Sequence, residues 1–130
     1  MGTIRLAFAG WLALLATAPA AAVGLGEIQV QSGLNERFQA RIPLRGLKDG
    51  EIEGLNARLG DEAAFKRAGV ERRYLLTRLL FKPTASGERG GHVAITSRGV
   101  IREPSLSFVV AVRSQGQVVE RRYDVVLNLK

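Results

Sequence analysis

The sequence has no cysteine, a single histidine, a single tryptophan and few aromatic residues overall. Without a thiol there is no thiol nucleophile, no thiolate metal site and no disulfide. One imidazole, His92, is too few for a transition-metal centre built on histidines. The acids offer only pairs, Glu51 with Glu53 and Asp61 with Glu62, where an oxygen-ligand site needs a cluster. No acid pair stands in an apolar setting that would hold one member protonated for glycoside cleavage. Basic runs interleaved with aromatics are missing, which argues against a stacking platform for nucleic acid. Gly24-Leu25-Gly26 precedes a strand pattern rather than a helix, so it is no phosphate loop. His92 alternates with Val93 and Ile95 and is expected to face solvent with no nucleophile beside it. The expectation is therefore no catalytic residue, no metal, no cofactor, no small-molecule substrate and no enzyme.

Long apolar runs are also missing. The longest, residues 6–16 (LAFAGWLALLA), is about half the length a membrane span requires. It follows Arg5 and precedes Ala18-Pro19-Ala20 and Ala20-Ala21-Ala22, both small-residue cleavage sites. That is the anatomy of a secretory signal peptide over residues 1–22. A cleaved leader and a periplasmic mature domain of residues 23–130 are expected; the alternative is inner-membrane anchoring by an uncleaved leader. Removing the leader takes one Arg and no acid from 19 basic and 12 acidic side chains, leaving a net charge of +6. Such a balance suits anionic neighbours such as cell-wall or outer-membrane polymers.

Beyond the leader, apolar side chains fall on every second residue. Residues 27–31 put Ile28 and Val30 on one side. Residues 38–45 put Phe38, Ala40, Ile42 and Leu44 on one side and Gln39, Arg41, Pro43 and Arg45 on the other. Pro43 cannot donate to a ladder, so this strand is expected at a sheet edge, or with its proline on the unpaired side. Further strands are expected over 53–59, 75–82, 92–97, 105–114 and 117–129, with a tight turn at Gln115-Gly116 and a turn-rich crossing over 98–104. Arg121 falls on the apolar face of the last strand, which predicts a bulge or a frayed start. Residues 61–68 (DEAAFKRA) read as a two-turn helix with Gly69 just past its end. Ala64, Phe65 and Ala68 would pin it across one end of the sheets. Seven short strands and one short helix predict an all-β, antiparallel, immunoglobulin-like β-sandwich. Here "immunoglobulin-like" rests on strand count alone. The candidate interaction surface comprises Arg41, Pro43 and Arg45 on the outward side of a strand, and Arg72, Arg73 and Tyr74 in the densest polar connection.

Three stretches, in order, carry a family resemblance. The first is residues 24–44, GLGEIQVQSGLNERFQARIPL. The second is residues 64–75, AFKRAGVERRYL. The third is residues 102–108, REPSLSF. Together they resemble the N-terminal periplasmic domain of the FimV/HubP/TspA family, over essentially all of residues 24–129. Larger members of that family continue into a peptidoglycan-binding LysM module, a transmembrane helix and an acidic cytoplasmic region, to which no stretch of these 130 residues corresponds. The resemblance implies a non-enzymatic periplasmic protein-interaction domain linked to type IV pilus assembly, motility and envelope organisation. Its implied partners are envelope proteins, with the pilus secretion apparatus as a candidate. Electrostatic binding of anionic envelope polymers is the alternative.

Overall fold

The computed structural model describes residues 23–87 and 90–130. The expected leader, residues 1–22, lies outside the described residues, as do Glu88 and Arg89.

Among the described residues, eight strands and one α-helix follow in order: β1 (Gly24–Leu25), β2 (Gln29–Val30), β3 (Glu36–Arg45), β4 (Asn56–Leu59), α1 (Glu62–Ala68), β5 (Leu79–Ser86), β6 (Gly90–Ile101), β7 (Ser105–Ser114) and β8 (Gln117–Val126). They make two antiparallel sheets. The first runs β1-β3-β6-β5, with β2 also on β3; the second runs β4-β7-β8. The sheets close face to face as the immunoglobulin-like sandwich that the alternation predicts. Phe38, Ala40, Ile42 and Leu44 of β3 are buried, as are Leu106, Phe108, Val110 and Val112 of β7 and Tyr123 and Val125 of β8. Phe108 sits in the seam. It meets Phe38 of the other sheet edge-to-face, centroids 6.3 Å apart, and lies 6.1 Å from the ring of Tyr123. Gln115 and Gly116, with φ of 52° and 80°, form the primed turn that joins β7 to β8.

Several elements differ from the alternation reading, each for a reason in packing. The opening strand is two short pieces. β1 pairs with the end of β3, Gly24 opposite Arg45 and Leu25 opposite Leu44, and β2 pairs with its middle, Val30 opposite Ala40. β3 is not an edge strand, because β6 flanks its other side. Pro43 is accommodated in the second of the two expected ways. Its carbonyl accepts from Gly26 N–H at 2.8 Å. A residue's N–H and C=O point to the same side of a strand, so its missing donor faces the step between β1 and β2. The stretches before β4 and β5 are 3₁₀ turns, Glu51–Gly54 and Tyr74–Arg78, not strand. Three-residue spacing lets Ile52 and Leu55, and Leu76 and Leu79, reach the core together.

β6 runs on to Ile101 through what reads in the sequence as a crossing. Arg37 pairs with Val100 and Gln39 with Thr96, so Ser97, Arg98 and Gly99 stand opposite Phe38 alone. Gly99 takes the φ of 132° that this bulge needs, and Ser97 Oγ accepts from the Phe38 N–H at 2.8 Å.

The helix is capped as its sequence predicts. Asp61 Oδ1 accepts from Ala64 N–H at 2.8 Å, and Gly69 adopts φ 74°. Bonds from Gly69 N to Lys66 O and from Val70 N to Phe65 O complete the C-terminal motif. Its position is different from the expected one. α1 covers the outward side of β7, where Val109 and Ala111 are buried and Gly60 lies against Val109 and Ala64. Arg67 pairs with Glu120 of β8 at 2.8 Å across the same face.

Arg121 causes neither a bulge nor fraying, and β7 and β8 stay in register from Ser105↔Val126 to Ser114↔Gln117. Its guanidinium lies 5.1 Å from the centre of the Tyr123 ring. It donates to Leu25 O at 2.8 Å and reaches Glu27 at 3.3 Å. Tyr123 donates to Gly26 O at 2.7 Å beside it. Together they fasten β8 to the start of the first sheet. Leu129, expected on the buried face, is 73% exposed because β8 ends at Val126; Leu127 is the last buried side chain.

Candidate interaction surfaces

The six residues singled out from sequence do not form one surface. Arg41, Pro43 and Arg45 project from the outer face of the first sheet. Arg72, Arg73 and Tyr74 lie in the connection from α1 to β5. Arg72 is committed to the fold: its Nε donates to Gly60 O at 2.9 Å and its guanidinium sits 5.7 Å from the Phe65 ring centre. Arg73 reaches Glu103 at 3.5 Å. Tyr74 is 84% exposed and packs on nothing that buries it.

Tyr74 opens the 3₁₀ turn, and Thr77 Oγ1 donates to its carbonyl at 2.7 Å. The turn borders a hollow of about 120 Å³ lined by Leu75, Arg78, Val100, Ile101, Arg102 and Glu103. Sequence reading missed Val100 and Arg78 here, because the bulge that turns Val100 outward depends on pairing with β3. The Arg73–Glu103 pair joins the second and third of the family-like stretches at this end of the molecule.

The outer face of the first sheet has a different character. Cross-strand pairs share a face. Rows such as Arg41–Ala94–Lys82 and Gln39–Thr96–Leu80 therefore stand side by side on the outward surface. Arg37, Arg41 and Arg45 come from β3, Arg98 from β6 and Lys82 from β5; all five are exposed. The remaining outward positions of these three strands hold Gly, Gln, Pro, His, Ala, Thr, Val, Leu and Ser, and none holds an acid. The ion pairs among the described residues use other cations: Arg67, Arg73, Arg121 and Arg122. Arg37, Phe38, Gln39, Leu80, Thr96, Ser97 and Arg98 border a hollow of about 340 Å³ on this face. The alternation shows Arg41 and Arg45 in one strand. Lys82 and Arg98 join them only through strand order, which periodicity does not contain.

His92 also projects from this face, half-buried, and it does have a hydroxyl neighbour. Its Nδ1 is 2.7 Å from Ser86 Oγ, the diagonal position across the β5–β6 hairpin. Burial, and then the Arg41 charge, push its pKa below the ordinary value, which favours the neutral ring. A serine nucleophile needs a base that is itself oriented, together with donors for the developing oxyanion. No acid on the outward positions of β3, β5 or β6 can orient this imidazole. Among the described residues no three His, Asp or Glu side chains gather as a metal site, and no helix is long and apolar enough to cross a membrane.

Residues 23–130 match a family model described as the FimV N-terminal domain, an Ig-like domain. Two curated relatives are each named Motility hub protein FimV, from Pseudomonas aeruginosa strains PAO1 and UCBPP-PA14. Each is 33% identical over 115 residues, which is 88% of this chain and 12% of the relative. The chain thus spans about 12% of the length of these relatives. No solved structure matches.

Proposed function

The chain belongs to the family of FimV N-terminal, Ig-like domains, and from that premise we propose that it is a non-enzymatic protein-interaction domain of the periplasm serving type IV pilus motility. Its partner is a protein of the motility machinery in the cell envelope. The observation that carries this reading is the Tyr74 end of the sandwich. A tyrosine 84% exposed, in a hydrogen-bonded turn beside a hollow lined by Leu75, Val100 and Ile101 and rimmed by Arg78 and Arg102, has the composition of a binding hot spot. Tyrosine offers a large contact area at a small entropic cost. β3, which carries Pro43, is flanked on both sides and so offers no free edge to which a partner could add a strand.

The test is a graft. This domain replaces the matching 115-residue segment of the Pseudomonas relative, and pilus-driven surface motility is scored. The wild-type graft is expected to support motility. Tyr74→Ala, which leaves the core untouched, is expected to abolish it with no change in thermal unfolding. A Tyr74→Ala graft that moves like the wild-type graft overturns the assignment of this surface.

A further inference from the structure

We propose that the outer face of the β3–β6–β5 sheet is a docking surface for an anionic phospholipid bilayer, through Arg37, Arg41, Arg45, Lys82 and Arg98. This goes beyond the protein-interaction reading, and none of the five cations belongs to the Tyr74 surface, which this face meets only at Val100.

The face is distinguished by holding five cations and no acid at the outward positions of its three strands. Elsewhere four arginines meet acids: Arg67 with Glu120 and Arg122 with Asp124 on the helix-covered sheet, Arg121 with Glu27 at the closed side, Arg73 with Glu103 at the Tyr74 end; other cations off this face, among them Arg58, Lys66, Arg78, Arg102 and Arg113, are in no ion pair among the described residues. On the β3–β6–β5 face the five cations are in no ion pair among the described residues, and no outward acid stands among them. Five cations thus stand on one sheet face with no acid at the outward positions between them.

The layout of the cations selects the occupant. They come from three strands about 4.8 Å apart, and Arg37 and Arg45 are separated by roughly 27 Å along β3. The charge is therefore spread in two dimensions over a broad sheet face. A single-chain polyanion tracks a continuous groove; the hollow on this face is local, between Arg37 and Arg98. A second copy of this chain would bring like charges together, which association penalises. A plane of phosphate headgroups matches the spread, and arginine suits phosphate by its planar fork. The face has little to insert into the acyl region. Among the described residues, Leu80 and Val100 are its only exposed large apolar side chains, at 41% and 37%. Binding is therefore electrostatic and superficial.

Residues 23–130, which hold every element of the sandwich and its core, are mixed with sedimentable vesicles. One set is phosphatidylcholine alone; the other is equal parts phosphatidylcholine and phosphatidylglycerol. Binding to the mixed vesicles only is expected, falling as salt is raised. Each cation near an anionic surface is worth roughly fivefold in partitioning, so Arg41→Gln with Lys82→Gln is expected to weaken binding roughly 25-fold. The control, Lys66→Gln with Arg113→Gln, has the same net charge but alters the helix-covered side, and is expected to stay near wild-type binding. All four side chains are exposed, so thermal unfolding should be unchanged in both variants. Equal weakening by the two pairs overturns the proposal, since net charge alone would then suffice. So does binding to phosphatidylcholine alone, or no binding to either vesicle. Full displacement from the mixed vesicles by soluble polyglutamate, at carboxylate equal to lipid phosphate, also overturns it and assigns the face to an acidic polypeptide.

Discussion

Tyr123 joins the two sheets with a single hydroxyl. It donates to Gly26 O at 2.7 Å, and its ring is 4% exposed. Tyr123→Phe keeps the packing and removes that bond, leaving the Gly26 carbonyl without it. A cost of about 1–2 kcal/mol is expected, measured by urea unfolding. The same residue sets an alkaline limit. Burial raises its pKa from 10.0 to about 12, with Arg121 opposing the shift and Glu27 adding to it. The folded state keeps the proton up to about 12, while an unfolded chain releases it near 10. This contribution to stability is therefore whole below pH 10 and is lost as pH rises from 10 to about 12. Tyr123→Phe should lose that slope, and a wild-type-like fall in stability across this window would refute the assignment.

Among the elements, the β6 bulge is the most exposed to a single change. Phe38 is fully buried, and its N–H has Ser97 Oγ as acceptor. Ser97→Ala leaves that donor unsatisfied in the core and should cost about 1–3 kcal/mol. Amide exchange should locate the damage, with the Phe38 amide protected far less than in the wild type. This bulge also marks the limit of what periodicity reveals. Helix α1 was legible because Asp61, Phe65 and Gly69 form its caps and buried face within one short stretch. The span of β7 was legible because its alternation is unbroken by turn residues. Strand order, the bulge and the seat of α1 depend on partners distant in sequence, and no local pattern holds them. Arg121 looked out of place for that reason: its carbonyl partner, Leu25, is 96 residues away. The cationic sheet face was half legible, through Arg41 and Arg45, and became a surface only when β6 and β5 were set beside β3. The hydroxyl beside His92 was hidden in the same way, in the register of a hairpin.

At the scale of the whole molecule, stability rests on one seam. Phe108 contacts Phe38 across the sheets and Tyr123 along its own sheet. Phe108→Ala should cost about 3–5 kcal/mol. A domain holds only about 5–15 kcal/mol in total, so the variant is expected to lose a sharp thermal transition or to melt far below the wild type. A melt unchanged within error would show that the sheets do not depend on this ring. The side fastened by Arg121 and Tyr123 has a consequence for how the chain is made. Synthesis releases Leu25, Gly26 and Glu27 among the first residues of the domain, yet their partners Arg121 and Tyr123 lie in its last strand. Until that strand is made these groups wait in water, and the sandwich stands open along one flank. Contacts this distant in sequence slow folding, so a nascent chain stalled before Tyr123 would offer an unsealed core to proteases and to aggregation.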